Sequence, residues 1–301
     1  MPARCSDWIR VALCLLLALA AAGCSVRLAY DNAPRLAVWQ AGEYVDLDRR
    51  QKNWLRQRMR VFMHWHRTEQ LPDWVSVLTE FEAVVQDEVT ADYLDALSDR
   101  TEQWWEAALV ELQPIAVELL LDLDEEQLAD LPSRFAERND ELNEDYAGLE
   151  DAEQRAVWRE ETREFLDRWI GALTPEQERL LLTTSETVTP DNAAWVAYRV
   201  RWQGALLEIL ADREDPDRFA ERFAALIAER ESYWTEDYAS LREQNDPHYQ
   251  AFTMGLLSSL DGRQRRRLGR RLEGLIEDFS ALAADVGPAP EAPPALASIQ
   301  R

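Results

Sequence analysis

The chain reads as all-α, a multi-helix bundle or irregular helical array with an internal duplication. Three observations predict this class: only ten glycines in 301 residues, short β-branched runs, and apolar residues that recur at spacings of three and four rather than alternating. From Asp48 to Arg67 the set Leu55, Met59, Phe62 and Trp65 or His66 marks one helical face. Pro72 opens a second helix with Trp74, Val77, Leu78, Phe81, Val84 and Val85 inward. A long helix starts after Thr90 and runs through Trp104, Trp105 and Leu109 to Pro114, where a missing amide and a ring clash predict a kink. Later helix starts are written as a capping residue followed by proline: Thr174-Pro175, Thr189-Pro190, Asp215-Pro216 and Asp246-Pro247. Each supplies an oxygen acceptor at the N-cap and omits a donor at N1, where none is needed.

The first 25 residues are organised differently. Arg4 and Arg10 precede a wholly apolar run from Val11 to Ala22, and Ala21-Ala22-Gly23-Cys24 follows at once. A basic start, a short apolar core and small residues before a cysteine suit translocation and cleavage. Twelve apolar residues are too few for a permanent span, which needs about 20. The segment resembles the lipobox of bacterial lipoproteins, with Ala21 where that motif most often has leucine. The resemblance implies cleavage after Gly23, a thioether-linked diacylglycerol on Cys24 and a further acyl group on its amine. A plain secretory signal with a coincidental cysteine is the alternative. Ser25 after the lipid site, where the sorting rule of such proteins looks for Asp, implies the outer membrane, periplasmic face.

This reading sets the domains: 1–23 a lipoprotein signal peptide, 24–47 a lipidated N-terminus and short tether, 48–286 a helical domain, and 287–301 a disordered Pro/Ala-rich tail. Cys5 and Cys14 lie in the signal, so a mature chain keeps Cys24 as its one thiol and has no disulfide. Three acyl chains exceed the two signals that give stable anchoring. Loss of the signal removes Arg4, Arg10 and Asp7, leaving 31 basic against 56 acidic residues, a net charge of −25. Such a surface repels nucleic acid and excludes it as a partner.

Two regularities run through the helical part. Leu-[Asp/Thr]-x-x-Gln occurs at Leu47-Asp48 with Gln51, Leu123-Asp124 with Gln127, Leu173-Thr174 with Gln177, and Leu260-Asp261 with Gln264. Physically this is a capping box: an apolar N′ residue, a side-chain acceptor at the N-cap, and a Gln at N3 that returns the hydrogen bond. The copy Leu173-Thr174-Pro175-Glu176-Gln177 also resembles the LTxxQ motif of Spy and CpxP type periplasmic proteins, which implies a chaperone-like or envelope-stress role. The second regularity is a repeat. Pro132 to Arg138 recurs as Pro216 to Arg222, Glu144 to Leu149 as Glu236 to Leu241, and Phe165 and Phe252 each stand eight residues before Leu173 and Leu260. Modules over 132–177 and 216–264 are one reading; chance likeness of Glu/Arg/Ala-rich helices is the other.

Chemistry-bearing patterns are few. The three histidines, His64, His66 and His248, have no metal-ligand spacing, so no catalytic, metal or cofactor residues are assigned. Gly-x-Gly and Gly-x-Ser-x-Gly are absent, and Asp46-x-Asp48 and Asp122-x-Asp124 lack the glycine of a calcium loop. Binding rather than catalysis is the expectation: a chaperone-like or envelope-stress binder first, a structural or adaptor lipoprotein that docks one envelope partner as the alternative, and a hydrolase the weakest. Two basic clusters break the acidic background: Arg49, Arg50, Lys52, Arg56, Arg58, Arg60 and Arg67, and Arg263, Arg265, Arg266, Arg267, Arg270 and Arg271. They pair internally with Glu-rich helices, or the first meets anionic lipid near the anchor and the second an acidic partner. Trp54, Trp74, Trp158, Trp169, Trp195, Trp202 and Trp234 fall on apolar faces, as core or as a cradle for a peptide. The stretch Tyr30-Asp31-Asn32-Ala33-Pro34 after the lipid site, with Trp39 and the repeated helix starts, resembles a proteobacterial family of helical lipoproteins whose activity is unknown. That resemblance implies one unit over the mature chain, and the lack of a long polar linker implies a domain seated close to its membrane.

Overall fold

The four Leu-[Asp/Thr]-x-x-Gln sequences organise the molecule, because they meet in two pairs. The computed structural model describes residues 25–144, 146 and 148–299. The expected signal peptide with Ala21, Ala22 and Gly23, and the lipid site Cys24, lie outside the described residues. Among the described residues the chain is all-α: α1 (Ser25–Gly42), α2 (Arg49–Trp65), α3 (Leu71–Gln86), α4 (Ala91–Leu121), α5 (Glu125–Glu144), α6 (Asp151–Ile170), α7 (Pro175–Thr187), α8 (Asn192–Leu210), α9 (Pro216–Ala228), α10 (Glu236–Ser258) and α11 (Gly262–Ala284). A π-helical turn, His66–Gln70, joins α2 to α3.

Each motif starts a helix as its residue types require. At Asp48 the carboxylate accepts from the Gln51 N–H at 2.7 Å, while Gln51 Oε1 accepts from the Asp48 N–H at 2.9 Å. The same reciprocal box closes at Asp124 and Gln127, Thr174 and Gln177, and Asp261 and Gln264. The carboxamides then pair across the fold. Gln51 and Gln127 donate to each other's Oε1 at 3.1 and 2.8 Å, and Gln177 and Gln264 do so at 2.9 and 2.8 Å. Each Nε2 also reaches a backbone carbonyl two residues ahead of the opposite cap: Asp122, Asp46, Ser259 and Ala172 respectively. Every amide oxygen thus accepts twice and every amide nitrogen donates at least twice, which is what lets Gln51, Gln177 and Gln264 be buried.

The motif leucines enter two separate cores. Leu47 and Leu123 belong to a core with Trp54, Ile115, Phe135, Phe219 and Leu226; Leu260, flanked by Leu173, belongs to another with Val85, Leu166, Leu181 and Phe252. One glutamine pair therefore closes each core. A third, smaller core joins Val26 and Tyr30 of α1 to Leu71 and to Leu275, Phe279 and Leu282 of α11. Both sequence modules run in the same order: Phe135 and Phe219 enter the first core, Phe165 and Phe252 pack in or on the second, and the paired motif follows. Their local structure differs, since Pro132 lies inside α5 and Pro216 at the start of α9.

Several expectations are corrected. The stretch after Cys24 is not a tether: α1 begins at Ser25. Asp246-Pro247 starts no helix, because α10 runs through Pro247, and Asn245 instead binds Thr189 with both amide groups, Oδ1 accepting its N–H and Nδ2 donating to its carbonyl. The start foreseen at Thr189-Pro190 moves to an Asp191 N-cap. Helix α4 continues past Pro114 to Leu121. The tail is not disordered over its described part. Leu296 is fully buried in the first core, its carbonyl accepts from Arg50 at 2.9 Å, and the Pro294 carbonyl accepts from Trp54 Nε1 at 3.2 Å. Leu296, with Ile299 packed on the same core, two backbone acceptors and the Leu296 N–H donated to Glu118 hold a segment whose composition reads as unstructured.

Candidate functional site

The surface of most interest is on α1, the first helix of the described residues. Helix α1 is fastened to the domain at three points. Arg27 Nε donates to Asp278 of α11 at 2.9 Å, Arg67 donates to Asp31 at 2.8 Å, and the Tyr30 hydroxyl lies 2.7 Å from Nδ1 of His66 in the π-turn. Burial pushes the His66 imidazole down to about 4, so it is neutral at physiological pH. Burial also raises the Tyr30 phenol, against the lowering influence of the Arg67 guanidinium 5.0 Å from its ring. His66 sits among Phe62, Trp65 and Trp74, and Trp74 stacks on Trp104 at 5.1 Å. The Trp104 indole and Arg100 both bind Asp73, and Arg100 together with Trp104 holds that carboxyl below its ordinary range. The tyrosine of the Tyr-x-Asn-Ala-Pro segment is therefore a peg that seats α1.

The opposite side of α1 is bare. Leu28, Leu36 and Trp39 are 64%, 50% and 59% exposed. With Asn32 and Arg35 they occupy an arc of about 100°, at about 100° per residue. Trp39 is the one exposed tryptophan among the described residues; the seven assigned to apolar faces are buried or half-buried. Position alone distinguishes it, for a helical wheel of residues 25–42 would separate the Leu28, Leu36 and Trp39 face from the Val26, Tyr30 and Val38 face.

The basic clusters divide into internal and free members. Arg50 is a correction: it is enclosed, bound to Asp122 at 2.5 Å and to the Leu296 carbonyl, and faces neither lipid nor partner. Lys52 lies 3.7 Å from Asp46, and Arg56 donates to Asn53 at 3.0 Å. Arg49 and Arg60 are exposed. On α11, Arg265 binds the Val85 and Asp87 carbonyls, and Arg267, half-buried against Gly171, donates to the Asp167 carbonyl at 2.7 Å. Arg263, Arg266, Arg270 and Arg271 are exposed and make no ion pair with the described residues. They fall on one side of the helix, an arginine-rich face on a chain of net charge −24, where Arg263 and Arg266 help to hold the Asp261 carboxyl below its ordinary range. Helices α1 and α2 form a hairpin, so Arg49 stands about 24 Å along α2 from the end that meets Tyr30. The first cluster is thus spread along α2 rather than gathered at the end that meets Tyr30.

His66 lies in the π-turn and His248 is exposed on α10, and no three His, Cys, Asp or Glu side chains among the described residues converge as a metal site. A groove of about 530 Å³ is lined by Glu160, Arg163, Glu164, Asp167, Arg168 and Glu178, with Arg163 already bound to Glu178 at 2.9 Å. No helix among the described residues is long and apolar enough to cross a membrane. Neither characterised proteins nor solved structures yield a match to the chain. One family profile, described as a family of unknown function (DUF6279), matches residues 43–239, from the loop after α1 to the first turn of α10. It takes in the whole Gln51 and Gln127 pair, while the bare face of α1 and the arginine face of α11 lie outside it. The chain belongs to this DUF6279 family of unknown function.

Proposed function

We propose that this protein is a lipoprotein held by Cys24 on the periplasmic face of the outer membrane, where it binds a protein partner rather than catalysing a reaction. Residues 1–24 support the address. The observation that carries the binding role is the arginine face of α11, where Arg263, Arg266, Arg270 and Arg271 are exposed side by side on an acidic chain and only Asp261 at the helix start answers the first two. An acidic protein surface is its natural complement, and steering by such a face raises the rate of encounter. This favours an adaptor that docks one envelope partner.

The chaperone-like form of the proposal draws on the LTxxQ resemblance and on the tryptophan content. Both have structural duties here: the four motifs hold the two glutamine pairs, and the tryptophans other than Trp39 are at least half-buried among the described residues. The adaptor form is therefore the stronger. A photo-crosslinking residue in place of Arg266 or Arg270, in growing cells, should trap one discrete membrane-fraction protein, and Arg263→Glu with Arg271→Glu should abolish the adduct. A membrane-located protein that yields no adduct at either position would refute the adaptor reading.

A further inference from the structure

We propose that α1 lies along the membrane surface and buries Leu28, Leu36 and Trp39 in the lipid interface, so that anchor and helix together set which side of the domain faces the bilayer. The inference rests on the reading of Cys24 as the lipid site. If acyl chains are attached at residue 24, there is no slack between them and the fold, because α1 starts at Ser25. The helix is also not free to swing: Arg27 to Asp278, Asp31 to Arg67 and Tyr30 against His66 tie its first two turns to α11 and to the end of α2. An upright α1 would carry Trp39 about 22 Å from the anchor at 1.5 Å per residue and leave all three apolar side chains in water. Lying flat, it removes them together.

The composition of the face fits a lipid interface. Three of the six large apolar side chains most exposed among the described residues are on this one helix. Tryptophan is the side chain best suited to the boundary, with an apolar body and a polar N–H. Arg35 is the only charged residue within the arc, and a long basic stem can lie on lipid with its head among phosphates. The nearest carboxylate on the helix, Asp31, is turned to Arg67. Carboxylate-bearing surface of a chain of mature charge −25 is repelled by anionic headgroups, and this face carries none, so it can approach without that cost.

The test uses the full lipidated protein in vesicles of phosphatidylethanolamine and phosphatidylglycerol. Leu36→Cys, Trp39→Cys and, as a control, Val200→Cys on α8 each introduce one thiol, since Cys24 carries lipid; each is labelled with an environment-sensitive fluorophore. Labels at 36 and 39 should report an apolar surrounding and be quenched several-fold more by nitroxide-bearing lipid than the label at 200. Water-exposed labels at 36 and 39 on vesicle-bound protein would overturn the inference and leave the anchor reading standing. So would chain-to-chain disulfides in the unlabelled Trp39→Cys protein when the labelled protein shows no lipid quenching, which would assign the face to a second copy. Protein that fails to bind the vesicles overturns the anchor reading, and the inference with it.

Discussion

His66 shows how one buried side chain couples α1 to pH. Its imidazole is held neutral because aromatic rings replace water around it, and the Tyr30 hydroxyl is its one polar neighbour at hydrogen-bond distance among the described residues. The folded value near 4 lies below the ordinary 6.5, so as pH falls the unfolded chain takes up a proton that the folded chain refuses. Stability from this residue is therefore full above pH 6.5 and is lost as pH falls toward 4, by about 3 kcal/mol across that window at about 1.36 kcal/mol per unit. Urea unfolding at pH 7 and pH 4.5 should show a smaller acid loss for His66→Gln than for the unaltered protein. Equal losses would mean that His66 is not the buried neutral group described. Sequence spacing offers Trp65 or His66 for the inner face without choosing between them, and with Tyr30 36 residues away no local spacing announces the His66 contact.

At the scale of elements, the glutamine pairs distinguish this fold from a set of capped helices. Each carboxamide satisfies its own cap and its partner's loop, so removing one leaves buried groups unpaired at about 1–3 kcal/mol each. Gln177→Leu and Gln264→Leu should each cost about 2–3 kcal/mol, and the double variant should cost about 1–2 kcal/mol less than their sum, because the second change removes groups already orphaned. Additive unfolding energies would deny the pairing. The carboxy-terminal segment makes a second claim at this scale: Leu296→Ala should destabilise the protein by about 2–5 kcal/mol, as for other core leucines. A loss near zero in urea titrations would return the segment to an unstructured tail.

These elements also show what a sequence discloses. The helices are legible because their apolar spacing is local, and the four caps because an acceptor and a glutamine three residues on are local as well. The pairing of those caps is not, since 76 and 87 residues separate the partners. The Asp246-Pro247 start fails because a cap followed by proline is a local rule, and Asn245 is engaged by a distant loop. Proline content hides the tail's single buried leucine. Of the candidate contacts, the α11 arginines are visible in the sequence as a group, but only burial separates Arg265 and Arg267, which hold backbone carbonyls, from the four that are exposed.

For the whole molecule, the two clasped cores and the smaller third core support a first helix that begins beside the proposed lipid site. Attachment and orientation are then one property: a chain fixed at residue 24 and pegged through Tyr30 presents the rest of its surface in a set direction. The arginine face of α11 extends from about 12 to about 24 Å along that helix from Phe279, which packs in the core that seats α1. On this account partner binding occurs away from the anchor. Everything in that geometry depends on Cys24 being the mature first residue and carrying lipid. The intact mass of the protein extracted from membranes of producing cells tests this most directly. The account predicts a chain starting at Cys24 with a diacylglyceryl group and an amide-linked acyl chain, and a Cys24→Ala protein that is neither cleaved after Gly23 nor lipidated. A mature chain without lipid, or a Cys24→Ala protein still cleaved and held at the membrane, would contradict it.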